Sequence, residues 1–127
     1  MSKQHVYTPS VVTPSGTISG TSQVITGDQL VEIDVLSLGI GNNQLFALVI
    51  DVSQLKSLII LCGVDMTLEF NSSSSGTPTL NMLAGKPYIW NTSMQDACLL
   101  NTDVTALYIT NAAAGSFKFS AIVDPTV

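Results

Sequence analysis

The chain has 127 residues, enough for one domain with one hydrophobic core, and only 10% of them are charged against roughly 25% in ordinary soluble domains. Nine acidic residues stand against four lysines and no arginine, a net charge of −5, so direct nucleic-acid binding lacks both its attraction and its usual bidentate contacts. The longest apolar run, residues 58–64, falls far short of the ~20 residues that span a bilayer, and no basic segment leading into an apolar stretch opens the chain, so neither a membrane association nor a signal peptide is expected.

Residues 1–15 read as an extended N-terminal arm ahead of a domain over residues 16–127. Pro9 and Pro14 interrupt any helix or central strand. Val6, Tyr7, Val11 and Val12 are more apolar than a solvating tail requires, so the arm is expected to dock on a neighbour. Residues 17–26 are rich in Thr, Ser and Ile, with Gly20 a weak point, and Gly27-Asp28 marks a turn. Residues 29–38 alternate, with Val31, Ile33 and Val35 on the core face and Leu30, Glu32, Asp34 and Leu36 on the other. Residues 39–43 form a loop. Residues 44–52 are almost wholly apolar and predict a strand covered on both faces.

Residues 56–61 are a further apolar strand, and residues 65–70 alternate again, with Met66, Leu68 and Phe70 together. A polar loop over 71–78 precedes short strands at 79–83 and 86–90. The connection 91–101 has room for one helical turn capped by Ser93. Residues 104–110 and 116–123 flank a Gly-containing loop and predict a hairpin. The whole reads as an all-β fold, an antiparallel β-sandwich or jelly roll of about eight strands. A fully apolar strand in so small a sandwich predicts a subunit interface, and Leu45, Ala47 and Val49 join the four arm residues as expected partner contacts of a homo-oligomer.

No catalytic, metal or cofactor site is expected. The single histidine, His5, lies in the arm, a poor platform for a general base, and is expected to be solvated; no G-x-S-x-G elbow occurs. Glu32 with Asp34, and Asp65 with Glu69, have the spacing of a solvent face, though Asp65 and Glu69 could also serve a glycosidase. Gly39-Ile40-Gly41 reads as a turn, because no helix follows it. Tyr88 and Trp90 share one strand face, either closing the core or offering a sugar-stacking platform. Cys62 and Cys98 sit in apolar surroundings and read as buried thiols, with a disulfide left open.

Two stretches carry a family resemblance. Met82-Leu83-Ala84-Gly85-Lys86-Pro87-Tyr88-Ile89-Trp90 is similar to an L-x-A-G-x-P-x-x-W turn and strand, and residues 102–112, Thr-Asp-Val-Thr-Ala-Leu-Tyr-Ile-Thr-Asn-Ala, to a closing T-x-D-V-T-x-L-Y-[VI]-T-N hairpin. Over residues 58–123 the chain resembles small β-sandwich virion proteins of tailed bacteriophages. That resemblance implies a capsid cement or decoration protein, often a homotrimer, seated on the major capsid protein at the outer surface of the virion and made in the host cytoplasm. The alternative it leaves is a binding module, a phage tail adhesin or a carbohydrate-binding sandwich that would use Tyr88 and Trp90.

Overall fold

The structure, a computed structural model, describes residues 3–76 and 78–124. The first two residues of the expected arm, Thr77 of the polar loop and residues 125–127 lie outside them. In chain order the strands are β1 (Lys3–Tyr7), β2 (Ser10–Thr13), β3 (Gly16–Ser19), β4 (Gln23–Gly27), β5 (Gln29–Leu38), β6 (Gly41–Phe46), β7 (Leu55–Cys62), β8 (Met66–Phe70), β9 (Thr79–Met82), β10 (Tyr88–Asn91), β11 (Leu107–Asn111) and β12 (Gly115–Val123). A 3₁₀ turn, Val52–Gln54, is capped by Asp51, whose carboxylate accepts from the Ser53 amide at 3.0 Å.

The fold is an all-β sandwich. One antiparallel sheet has the order β10-β7-β12-β5, the other β6-β11-β8-β9. The alternation that marks these strands in sequence is what lines the space between the sheets. Leu58, Ile60 and Cys62 of β7 and Phe117, Phe119 and Ala121 of β12 come from the first sheet. Met66, Leu68 and Phe70 of β8 with Leu107 and Ile109 of β11 come from the second. Val31, Ile33 and Val35 of β5 pack against this core, as their alternation predicts.

Three local expectations need correction. Residues 104–110 and 116–123 are not a hairpin: β11 pairs with β6 and β8, β12 with β5 and β7, so the chain crosses from one sheet to the other. The turning device is Asn111, 3% exposed, whose side-chain amide donates to the carbonyls of Leu38, Gly39 and Ala113 and whose oxygen accepts from Gln44 Nε2 at 2.7 Å. A hairpin around residues 111–115 would bring Ile109 beside Phe117 in one sheet; the crossing puts them in opposite sheets instead, both fully buried.

The apolar run 44–52 is not one continuous strand. β6 ends at Phe46, and only Ile50 pairs again, with Val104. β6 is an edge strand whose one partner, β11, begins at Leu107 opposite Phe46, so residues 47–49 run past the end of that ladder. Residues 91–101 form turns rather than a helical turn, with Asn91 Oδ1 accepting from the Ser93 amide at 2.9 Å.

The N-terminal residues are extended, and they are paired. β1 runs antiparallel to β4 and β2 to β3, with the Gly20 amide donating to the Pro9 carbonyl at 3.0 Å between the two ladders. Together they make one long hairpin broken near Pro9 and Gly20, where proline removes a donor and glycine removes a side chain. Its turn is Pro14-Ser15, followed by Gly16 at φ 144°, a backbone region open to glycine. The β1–β4 half packs on the outer face of the first sheet. Gly27 permits that approach: a Cβ there would stand 2.6 Å from Ile122 Cγ2 and 2.7 Å from the Val123 carbonyl. Ile25 and Ile122, both buried outside the main core, lie in this second apolar layer.

Candidate functional site

Lys3, His5 and Tyr7 alternate with Gln4 and Val6 along β1, so one set faces the sandwich. His5 meets two serines on the outer face of the first sheet. Its Nδ1 lies 2.6 Å from Ser57 Oγ on β7 and its Nε2 2.7 Å from Ser120 Oγ on β12. The Tyr7 hydroxyl also hydrogen-bonds Ser57 Oγ, and its ring stands edge-on to His5 at 6.1 Å. His5 is thus half-buried and bonded at both nitrogens, not solvated as its place in the sequence suggests. The cluster was invisible in sequence because its members lie 52 and 115 positions apart.

Chemically the Ser120–His5 contact has the reach of a nucleophile–base pair. The rest of a hydrolase is missing around it. The atom facing Nδ1 is the hydroxyl of Ser57, 0% exposed, rather than a carboxylate. Ser120 sits in a central strand, opposite Glu32 on β5 and Ile59 on β7, so its backbone is committed to ladders on both sides and offers no oxyanion donors. The arrangement does one thing well, which is to dock the hairpin. A hollow of about 250 Å³ beside it is lined by Glu32, Asp34, Ile59, Leu61 and Lys118 together with His5 and Ser120.

Burial lowers the His5 pKa below its ordinary 6.5, and the Glu32 carboxylate offsets part of that shift. Burial likewise raises Tyr7, with its bond to Ser57 opposing. The docked hairpin therefore favours neutral His5. That stability is complete above pH 6.5 and is lost as pH falls from 6.5 through the lower folded value, where the unfolded chain takes up the proton first. Melting temperature followed from about pH 7.5 to 5.5 is expected to fall in wild type and to stay flatter in His5→Gln, since no other histidine is present. Equally flat profiles would place His5 in solvent.

Of the residues expected to contact a partner, Val6 is 56%, Val11 60%, Val12 82%, Leu45 64% and Val49 75% exposed, and Ala47 is exposed as well. Leu48 and Ile50 turn into the core, which leaves Leu45, Ala47 and Val49 outward along the β6 margin. Tyr7 is different: it turns inward onto Ser57. Leu36 is exposed, as its alternation placed it away from the core, and Ile18, Val24 and Ile40 are further exposed residues that alternation did not single out.

A simpler signal marks them. Residues 6–27 and 35–50 contain no charged side chain, and these two stretches hold nine of the fourteen large apolar residues exposed among the described residues. Residues 70–85 and 104–117 are equally free of charge, yet Leu83 is the one large apolar residue they expose. Among the described residues, absence of charge and apolar exposure coincide most on the hairpin and near β6, with smaller instances at Ile89, Met94 and Leu99.

The other candidates resolve into structure. Trp90 Nε1 donates to the Asp96 carbonyl at 2.9 Å, and the Tyr88 hydroxyl accepts from the Leu99 amide at 2.9 Å; both rings pack against the core and hold the 91–101 loop. Burial pushes Tyr88 up to about 12. Asp65 Oδ1 accepts from the Ala84 amide at 2.8 Å and precedes β8, while Glu69 lies on β8, half-buried. Cys62 is buried and free, its thiol pushed up to about 11, and Cys98 is free and half-buried beside Tyr88. Among the described residues no cluster of metal-ligating side chains occurs, and no helix is long and apolar enough to cross a membrane.

Fold and surface together define a β-sandwich carrying a docked hairpin and uncharged apolar margins. Compared with known protein families, with curated proteins and with solved structures, the chain matches none.

Proposed function

We propose that this protein is a non-enzymatic virion component, a capsid cement or decoration protein of a tailed bacteriophage. On this reading it acts as a homo-oligomer, a trimer by the family resemblance, made in the host cytoplasm and seated on the major capsid protein at the outer shell surface. The observation that carries the proposal is the exposure of large apolar side chains on uncharged backbone: Val11, Val12 and Ile18 on the hairpin, Leu45 and Val49 beside β6. Surfaces of this kind are stable in water when another protein covers them. A ligand that binds an assembled lattice in preference to its free subunits stabilises the lattice by mass action, about 2.7 kcal/mol per site at a hundredfold excess over Kd.

The test has two arms. Light scattering across a wide dilution range is expected to give a mass of several chains rather than 13.4 kDa. Capsids stripped of minor proteins are expected to bind the purified chain and then to survive a higher temperature. A monomer that persists at every concentration and leaves capsids unprotected would overturn the proposal.

A further inference from the structure

The uncharged hairpin and the uncharged β6 margin are different surfaces of the same chain, and each lacks a cover. β2 and β3 are four residues long, and every residue in them except Thr13 is exposed. A two-stranded hairpin of that length is marginal in water by itself, and its Val and Ile content is wasted on solvent. The β6 margin has the complementary need. β6 is a sheet edge with open backbone groups, flanked by Leu45, Ala47 and Val49. We propose that the β2–β3 hairpin of one copy docks on the β6 margin of a second copy, head to tail.

Charge and coverage choose that occupant. Each copy carries −5, so two copies repel except where both surfaces are uncharged, as these are. The hairpin also reaches roughly 15 Å, from four to five residues at the strand rise, which holds the acidic bodies apart while the tip makes contact. A twofold contact, hairpin to hairpin or edge to edge, would leave the other surface bare. A head-to-tail contact covers both at once, and where the rotation between copies closes, its repetition makes a ring in which every copy is equivalent. The inference rests on the oligomeric reading above and adds which surfaces meet.

A charge swap tests it. Val12→Asp and Val49→Lys alter exposed side chains and are expected to keep the wild-type far-UV circular dichroism. Each alone is expected to weaken association at least about tenfold. Combined in one chain they restore association, because Asp of one copy then meets Lys of the next. In a hairpin-to-hairpin or edge-to-edge assembly like charges would meet and the double variant would stay dissociated. As a second measurement, in a Cys98→Ser background, Val12→Cys with Val49→Cys is expected to cross-link into a ladder of chains on oxidation, while either single cysteine gives none. Dimers from a single cysteine, or no rescue by the charge swap while wild type is oligomeric, would overturn the head-to-tail contact. A monomeric wild type would instead overturn the oligomeric reading itself.

Discussion

Phe117→Ala is expected to lower the stability of the domain by about 3–5 kcal/mol, the range for emptying a large aromatic site. Phe117 is 0% exposed near the start of β12, in register with Val35 of β5 and Cys62 of β7. Its ring lies 6.1 Å from that of Phe46 on β6, so it joins the two sheets near the margin proposed to receive a partner. Losses of this size are a large share of the roughly 5–15 kcal/mol that holds a typical domain. Urea unfolding should show a lower midpoint at unchanged slope. Leu36→Ala, at a site 85% exposed, should fall within about 0.5 kcal/mol of wild type. Equal effects at the two positions would contradict the sandwich packing.

Asn111→Leu is expected to cost about 2–4 kcal/mol, with the loss centred on one corner. The substitution keeps the approximate volume and removes every polar contact. The carbonyls of Leu38, Gly39 and Ala113 and the Gln44 amide all lose a partner together. Those groups set where β5 ends and β6 begins. Amide hydrogen exchange should therefore quicken across residues 38–46 before it does in β7 or β8. Uniform exchange throughout the molecule would show that Asn111 serves general packing rather than the crossing.

The residues that carry the family resemblance turn out to act at corners of this kind. Asp103 Oδ1 accepts from the Val52 amide at 3.0 Å, and Asn71 grips the Asp103 carbonyl and the Thr105 amide. Gly85 takes φ 73°, in the region that favours glycine. Trp90 ties down its loop. Such side chains hold a chain in shape whatever it binds, so the quoted stretches speak to architecture more than to chemistry.

How much was legible in advance depended on how local each feature is. The strand over residues 29–38 coincides with β5, and Met66, Leu68 and Phe70 are buried together as their alternation predicts. Gly20 marks a real break between β3 and β4. Period-two burial is decided one residue at a time by water on one face and core on the other, and composition records it. The β11–β12 crossing, the end of β6 at Phe46 and the docking of His5 depend on which strand lies alongside, and pairing partners leave no mark in the strand itself.

By itself, then, the sequence determined an all-β chain with its core positions and with long uncharged stretches that leave apolar surface. Only the tertiary structure decided where that surface lies. It folded the expected arm back as a hairpin and seated His5 between Ser57 and Ser120. It also buried Leu48 and Ile50 while turning Leu45 and Val49 outward. The physical reason is that burial of a given apolar residue is a property of its neighbours in space, and those neighbours are brought together by contacts between distant parts of the chain.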